Sequence, residues 1–512
     1  MRSLRFSALA VPFAYPLSLS FSLSLALLLS ACGGGGASSN DSVAVVPPVT
    51  PTGPAALVPS FTVAYRCEAP RSGSSIDMQG TLLDEKTWVR SWIDETYLWY
   101  REVPSTYQPQ SFATPIAYFD VLKTTATTAS GKPKDQFHFS LPTAEWEAAQ
   151  NGVELGYGML LAVTRKAPPR QAVVSIVEPG SPAALMGLQR GDLLQTIDGV
   201  DFIYAADTAS MNIINAGLFP KAQGTHTLGL SRNGTPISVS LTAVEVSTSA
   251  VQNERIIDTP TGKVGYLTFN THNNVAERQL VETMRRFQAA GISDLVLDVR
   301  YNGGGYLDIA SELAYMIAGP QATTGKTFEQ LLFNDKTKPQ APVPFHTQSL
   351  GFPAPNRLAQ GTPLPSLGLK RVTLLTTSNT CSASEAIING LRGVDVQVNL
   401  IGGTTCGKPY GFYPAANCGT TYFAVQFQGV NAKGFGDFAD GIAPTCDVTD
   451  DYQHQLGDPA EGMLAAALRY RSSDSCVPAT GATRLSSAIE SPFDTVTRLL
   501  RPAYKEIAIL RR

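Results

Sequence analysis

The sequence predicts a multidomain α/β (α+β) protein, and three observations carry this prediction. The chain has 512 residues, which suggests about three domains at roughly 150 residues each. Hydrophobic residues make up 43% of the chain, enough for a sizeable core and too many for a disordered protein. By pattern, the body divides into a mostly helical region at 61–150, a β-rich domain at 153–247 and a domain at 254–472 in which strands and helices alternate.

The charge balance argues against a broad nucleic-acid-binding surface. The chain has 39 Lys and Arg residues and 42 Asp and Glu residues, so its formal net charge is −3. A surface that binds nucleic acid needs clustered basic residues. The five histidines include no pair at zinc-ligand spacing, and beyond the N-terminus no run of about 20 apolar residues predicts a membrane span. We therefore expect no metal, no cofactor and no nucleic-acid partner.

The first 31 residues read as an export signal. Arg2 and Arg5 precede an apolar, Ser-rich stretch, and the run Leu29-Ser30-Ala31-Cys32-Gly33 follows it. This run resembles the lipobox of bacterial lipoproteins, which implies cleavage before Cys32 and lipidation of that cysteine. Because residue 33 is not Asp, the resemblance implies the outer rather than the inner membrane. An ordinary signal peptide with a chance cysteine and an uncleaved anchor are the alternatives. Residues 32–60, rich in Gly, Pro and Ser, are predicted to be a tether.

Six cysteines remain after Cys32, an even number that suggests up to three disulfides in an oxidising compartment. Six cysteines allow 15 pairings. A local Cys406–Cys418 bridge across a hairpin is the first expectation. The others are Cys67, Cys381, Cys446 and Cys476.

The helical region carries a tryptophan stripe. Trp88, Trp92 and Trp99 recur near helical spacing within Lys86–Tyr100. Such a stripe is typical of a hydrophobic core or a domain interface. We assign it no chemistry.

The β-rich domain contains a run from Val173 to Gly199 that resembles a PDZ domain. A β-branched strand, a Pro-Gly turn, a short helix and a second strand follow one another in this run. Upstream, Gly156-Tyr157-Gly158-Met159 lies where such domains carry a carboxylate-binding loop, since glycines let backbone N–H groups converge on an anion. The resemblance implies that a peptide adds as a strand beside this loop, with a helix at Asp207–Leu218 forming the other wall.

The α/β domain is predicted from alternating strand and helix patterns. A Pro- and Gly-rich linker is expected at 319–368, and 473–512 is a C-terminal tail of unassigned role. The predicted strands are Lys263–Phe269, Leu295–Val299, Arg371–Thr376 and Val394–Ile401, and the predicted helices are Asn274–Ala289, Leu307–Ile317, Ser382–Leu391 and Pro459–Tyr470.

One serine opens a helix directly after a sharp turn. In the segment Ser378–Ala386 a strand ends, the chain turns, and Ser382 begins the next helix. Free N–H groups at a helix N-terminus favour developing negative charge. The alternative is a capping box, because Glu385 follows Ser382 by three residues.

Four motifs in order resemble the carboxyl-terminal processing (tail-specific) serine proteases. They are the PDZ-like run, Asp298-Val299-Arg300-Tyr301-Asn302-Gly303-Gly304-Gly305, the Ser382 segment, and Gly402-Gly403-Thr404-Thr405-Cys406-Gly407-Lys408-Pro409. The resemblance implies a Ser–Lys dyad in which Ser382 is the nucleophile and Lys408 the general base. Burial would have to lower the pKa of Lys408 from ~10.4 to ~7–8 for this role. Backbone N–H groups of Ala383 and of the Gly303–Gly305 turn, with Gly304 favoured, would bind the oxyanion.

The sequence departs from that family pattern near the lysine. Phe412 stands where many members have a Gln that orients the Lys, and Gln426 or Gln428 could substitute. Gly403 replaces a usual acidic residue. A Cys381–Cys406 disulfide would tie the serine loop to the lysine loop and competes with the Cys406–Cys418 pairing. His272 is the rival base in a Ser-His mechanism.

The resemblance implies a serine endopeptidase of the cell envelope, anchored by lipid, that acts on protein or peptide substrates with exposed C-termini. The alternatives are a non-catalytic peptide-binding lipoprotein that uses the PDZ-like groove and a ligand-binding relative of the same fold. Neither alternative needs the dyad, so intact Ser382 and Lys408 favour the enzyme.

Overall fold

A computed structural model describes residues 57–476 and the backbone of Ile509–Leu510. The predicted signal peptide, Cys32, most of the tether and most of the tail lie outside these residues. Within them, no helix combines the length and apolar character needed to cross a membrane.

The N-terminal region packs its tryptophan helix against the α/β domain. Trp88 and Trp92 stack with ring centroids 5.5 Å apart, and both rings lie near Tyr422 of the α/β domain. Trp99 lies beyond the helix, so the stripe is shorter than predicted. The region is also less helical than predicted, because turns and short strands separate its helices. Its elements are β1 (Arg66–Cys67), β2 (Met78–Gln79), α1 (Leu82–Thr96), α2 (Pro115–Phe119), β3 (Phe139–Pro142) and α3 (Thr143–Gln150), with 3₁₀ turns at Ser60–Thr62, Tyr100–Glu102 and Pro109–Ser111.

The β-rich segment is an antiparallel sheet with an open edge. Its strand order is β10-β9-β7-β6-β5, with β8 paired to β7, so β5 lies at one edge. A separate pair joins β11 to β4. The elements are β4 (Val153–Gly156), β5 (Met159–Arg165), β6 (Gln171–Val177), α4 (Pro182–Leu185), β7 (Leu193–Ile197), β8 (Val200–Asp201), α5 (Thr208–Leu218), β9 (Thr225–Arg232), β10 (Thr235–Thr242) and β11 (Val244–Ser247).

The α/β domain is built on a six-stranded sheet of order β12-β13-β14-β18-β19-β24, parallel except for β12, which confirms the predicted α/β class. Its elements are β12 (Val251–Thr259), β13 (Gly262–Phe269), α6 (Ala276–Ala290), β14 (Asp294–Asp298), β15 (Gly305–Tyr306), α7 (Leu307–Thr323), β16 (Thr327–Phe333), β17 (Val343–Pro344), β18 (Arg371–Thr376), α8 (Ala383–Gly393), β19 (Gln397–Gly402), β20 (Tyr410–Gly411), β21 (Ala415–Asn417), β22 (Thr420–Phe423), β23 (Phe427–Val430), β24 (Cys446–Asp447) and α9 (Gly462–Ser473).

The two faces of this sheet bury different helices. Leu295 and Leu297 of β14 pack into the cluster that includes α6, α7 and α8. Val296, between them, packs into the cluster that includes α9. The alternation follows from the two-residue period of a strand. Helices on both faces bury the parallel strands, so their sequences are apolar almost throughout.

The predicted linker at 319–368 contains strands that the sequence pattern did not indicate. β16 pairs with β23 and β17, and α7 continues past Ile317 to Thr323 through a kink at Gly319, whose φ is +73°. Pro320 follows that kink and so lies in the first turn of the second helical segment, where a helix tolerates a residue without a backbone N–H. The first residues of this linker are therefore helical.

The six cysteines form three disulfides, Cys67–Cys418, Cys381–Cys406 and Cys446–Cys476. The expected Cys406–Cys418 bridge is wrong, and the competing Cys381–Cys406 pairing is confirmed. The backbone N–H of Tyr65 donates to Asn417 Oδ1 (2.7 Å), which holds the turn between β21 and β22 against β1. Cys418 therefore meets Cys67 across the chain instead of a local partner.

Candidate active site

Three loops meet at one edge of the main sheet because they leave the carboxyl ends of neighbouring parallel strands. β14 ends at Asp298 before the glycine turn, β18 ends at Thr376 before Ser382, and β19 ends at Gly402 before Lys408. Open parallel sheets place their ligand sites at this edge. Sheet order therefore brings together motifs that are far apart in sequence.

Ser382 has the backbone of a strained residue at the first turn of α8. Its φ is +62° and its ψ is −118°, values rare for a residue with a side chain. The side chain is buried, and among the described residues Oγ has no hydrogen-bond partner. The backbone N–H donates to Glu385 (2.8 Å), as the capping-box alternative predicts. An unpartnered buried hydroxyl at a helix N-terminus is what a nucleophile needs and a cap does not.

The glycine turn lies directly against Ser382. A Cβ on Gly304, whose φ is +107°, would lie 2.8 Å from Ser382 Cβ and 2.9 Å from the backbone nitrogen of Ala383. Only glycine fits there. The two predicted oxyanion residues are thus neighbours. The Gly304 N–H donates to Asn302 Oδ1 (2.9 Å), so that donor is bonded within its own loop in this structure.

Lys408 is buried between two aromatic rings. Its Nζ lies 4.4 Å from the ring centroid of Phe412 and 4.8 Å from that of Phe137. Phe412, at the position where the family resemblance implies a Gln, therefore packs on the lysine. The side-chain amide nitrogens of Gln426 and Gln428 donate to the carbonyls of Tyr413 and Gly436 respectively. Phe137 comes from the N-terminal region, and no sequence motif marked it.

Glu385 joins the serine loop to the lysine loop. Its buried carboxylate accepts the backbone N–H groups of Ser382 (2.8 Å), Gly407 (2.9 Å) and Lys408 (2.9 Å). It also accepts the hydroxyl of Thr405 (2.6 Å). Burial raises its pKa above the usual value, while these donors favour the ionised form. The capping-box spacing was the only sequence signal for this residue, and it indicated only the bond to Ser382.

His272 braces the glycine turn. Its backbone N–H donates to Gly304 O (3.0 Å), and its backbone carbonyl accepts the N–H of Tyr306 (2.8 Å). Nδ1 lies 3.1 Å from Asn302 Oδ1. Because that oxygen also accepts the Gly304 N–H, Nδ1 is the donor, and Nε2 has no hydrogen-bond partner among the residues that the structure describes. Burial lowers the pKa of His272 from 6.5 to about 3, which makes it a weak base at neutral pH.

His272 is expected to make the fold sensitive to acid. Below pH 6.5 the unfolded chain binds a proton at this residue, whereas the folded chain does not until about pH 3. The free energy of unfolding should therefore fall with decreasing pH, and His272 should contribute about 1.4 kcal/mol per pH unit to that slope. Urea unfolding between pH 6 and 4 should show this slope reduced in His272→Gln. His226→Gln, at a partly exposed histidine, is the control, and equal slopes in wild type and His272→Gln would contradict the assignment.

A buried ion network attaches the β-rich segment to the same edge of the sheet. Arg300, just before the glycine turn, pairs with Asp298, Asp450 (2.6 Å) and Glu461 (2.8 Å). Arg190 of the β-rich segment also pairs with Asp450 (2.6 Å). These carboxylates hold the pKa of Arg300 well above its usual value against the effect of burial. The network stabilises the backbone that leads into the glycine turn.

The predicted peptide-end loop is a turn between β4 and β5. Gly156 is still paired with Val244, and the buried Tyr157 donates its hydroxyl to Gly217 O (2.8 Å) of α5. Gly158 has a φ of +72°, and Met159 begins the edge strand β5. The loop is thus tied to α5 and leads into β5, which lies at the edge of the sheet as far as the described residues show.

Two family models match the chain. The peptidase family S41 model covers residues 263–447, and the peptidase S41 N-terminal domain model covers 84–140. A crystal structure from Bacteroides fragilis, described as a candidate S41 protease, has a TM-score of 0.58 and 25% identity and covers 76% of this chain and 97% of its own.

Curated relatives are similar to a shorter part of this chain than the solved structure is. A carboxyl-terminal-processing protease of Picosynechococcus sp. is 23% identical over 51% of this chain and 56% of its own. The chloroplastic carboxyl-terminal-processing peptidase 2 of Arabidopsis thaliana is 27% identical over 50% of this chain and 51% of its own. The chain thus spans about half the length of these relatives. Residues 84–140 and 263–447 are thus similar to the two peptidase S41 domain models, and the described fold is similar to that of a solved S41 protease.

Proposed function

We propose that the protein is an endopeptidase of the cell envelope that cleaves peptide bonds near exposed C-termini with a Ser382–Lys408 dyad. One observation carries the proposal. Ser382 has a strained backbone and a buried Oγ that no described residue hydrogen-bonds, and its loop is joined to the Lys408 loop by both Glu385 and the Cys381–Cys406 disulfide. A fold that served only peptide binding would have no need of this convergence.

The proposed reaction uses these groups in turn. Ser382 Oγ attacks the scissile carbonyl carbon while its proton passes to a neutral Lys408 Nζ. Lys408 is completely buried with its Nζ beside the rings of Phe137 and Phe412, and its loop is joined to that of Ser382 through Glu385, which supports Lys408 as the base. The oxyanion develops beside Ala383, at the N-terminus of α8, where free N–H groups and the helix dipole stabilise it. Lys408 then protonates the leaving amine, and water, deprotonated by the same lysine, hydrolyses the acyl ester and regenerates Ser382.

Recognition of a free C-terminus is proposed for the PDZ-like β-rich segment. An extended peptide can pair with the open edge of β5, with its carboxylate at the Gly156–Gly158 turn. The names of the curated relatives support this substrate class. Energy from binding the distant peptide end would then favour cleavage of an upstream bond at Ser382.

The test of the function compares free-acid and C-terminally amidated versions of one unstructured peptide. Wild type should cleave the free acid about 10-fold faster, since a lost charge-assisted contact is worth roughly 1.5 kcal/mol. A fluorophosphonate should label Ser382, read by peptide mass spectrometry, and Ser382→Ala should show neither label nor cleavage. Equal cleavage of both peptides would show that the protein does not recognise the C-terminal carboxylate of its substrate. Binding without any cleavage or labelling would favour the non-catalytic lipoprotein.

Gly158→Val should weaken cleavage of the free-acid peptide selectively. A Cβ there would lie 2.2 Å from Ser181 Cβ, so the substitution would displace the turn. The matched control is Gly180→Val, which has a similar φ of +74° but no neighbour within 4 Å of its Cβ. Both variants carry backbone strain, and only the first should reduce the preference for the free acid.

The envelope location is proposed from the lipobox-like run alone. Lipidation of Cys32 would hold the folded body at the membrane through the tether. Cys32→Ser should move the protein from the membrane to the soluble fraction and leave its mass without lipid. Unchanged fractionation and mass would contradict the anchor.

A further inference from the structure

A short strand from the distal part of the chain pairs with the segment that leaves the glycine turn. β25 (Ile509–Leu510) lies parallel to β15, with Ile509 opposite Gly305 and Leu510 opposite Tyr306. On the other side of β15, His272 forms a bridge with Gly305. β15 is therefore the middle of three extended segments, and β25 occupies its outer edge.

The outer edge of β15 lies near the loops of both Ser382 and Lys408. β15 follows Gly304, which lies against Ser382. β25 also contacts β20 (Tyr410–Gly411), which begins two residues after Lys408, and α7. The strand thus lies between the backbone that leaves the serine's glycine turn and the backbone that leaves the lysine.

We propose that residues 509–510 occupy, within the same molecule, the strand position that the backbone of a peptide substrate takes at the dyad. A protease site holds its substrate extended, and an open strand edge binds such a peptide by main-chain hydrogen bonds whatever its sequence. The distal segment is then a tethered competitor, and a substrate must displace it. This inference rests on the proposed peptidase function, because it names the site where that function's substrate pairs.

The tether decides how strong this competition is. Residues 477–508, 32 in number, join β25 to Cys476, which is held to Cys446 by a disulfide. Two paired residues form a weak contact, but a segment of the same chain binds its site intramolecularly, at an effective concentration that can reach the order of 1 mM. Removal of the segment should therefore raise kcat/KM about 3- to 10-fold, and the gain should appear mainly in KM.

Two variants and one control test the proposal. The first is a chain that ends at residue 500, which keeps all three disulfides. The second, Ile509→Pro with Leu510→Pro, removes the N–H groups of both strand residues. The control, Ser486→Pro with Ser487→Pro, puts two prolines into the same tail outside the paired segment. Both variants should show the 3- to 10-fold gain on an unstructured peptide substrate, and the control should behave like wild type.

A binding measurement separates this proposal from the peptidase function. A fluorescein-labelled peptide of residues 500–512 is titrated against Ser382→Ala proteins, which cannot turn it over. It should bind the shortened protein at least 3-fold more tightly than the full chain. Equal binding to both, or binding to neither, would overturn the tethered competitor even if every dyad-intact form cleaves peptides. If binding differs as expected and no form cleaves, the segment docks as inferred and the peptidase function fails.

Discussion

Lys408→Met is expected to abolish peptidase activity as completely as Ser382→Ala, each by about 10⁴-fold or more in kcat. Members of a catalytic unit lose activity together, because neither the nucleophile nor its base acts alone. Methionine has nearly the volume of lysine, so it can fill the space between Phe137 and Phe412 that Lys408 Nζ now occupies. The loss should therefore come without a loss of fold.

The measurement is kcat and KM on one peptide, together with urea unfolding of each variant. Lys408→Ala should be as inactive as Lys408→Met but less stable by about 2–4 kcal/mol, because it leaves a cavity. The double variant Ser382→Ala/Lys408→Met should be no slower than either single variant. Lys433→Met, at an exposed lysine paired with Asp395, is the control. Activity that survives in Lys408→Met while His272→Ala is inactive would assign the base to the histidine.

The catalytic portion of the fold was predictable because local pattern and sheet order coincide there. Each of the three loops follows an apolar parallel strand and precedes or approaches a helix, so single-sequence patterns placed β14, β18 and α8 within a few residues. Parallel neighbours put their carboxyl ends at one edge. The glycine turn and Ser382 therefore met as their motifs suggested.

The rest depended on contacts between distant segments. Phe137 reaches Lys408 from the N-terminal region, and Cys67 reaches Cys418, without any local signal in either partner. The short strands β16 and β17 lie in a Pro- and Gly-rich stretch whose pairing with β23 supplies the order that propensity lacks. The apolar strands could be predicted from their local sequence pattern, whereas these features depend on contacts between segments that are distant in the sequence.

Glu385→Gln is expected to reduce both stability and activity. The carboxylate accepts four hydrogen bonds from the serine and lysine loops, two of them from the N–H groups of Ser382 and Lys408 themselves. An amide has one acceptor oxygen and presents its own N–H₂ to donors, so at least one buried N–H loses its partner. We expect a loss of about 2–4 kcal/mol in unfolding free energy and about 10²-fold in kcat/KM.

The control is a substitution of another buried glutamate that also accepts backbone N–H groups of a loop. Glu277 accepts the N–H groups of Leu350, Gly351 and Phe352, away from the dyad loops. Glu277→Gln should lose stability to a similar degree and keep its kcat, measured below the unfolding transition. If Glu385→Gln also keeps kcat, the Cys381–Cys406 disulfide alone suffices to hold the two loops together. If only Glu385→Gln loses kcat, the carboxylate sets the positions of nucleophile and base. The disulfide then links the two loops covalently without setting those positions.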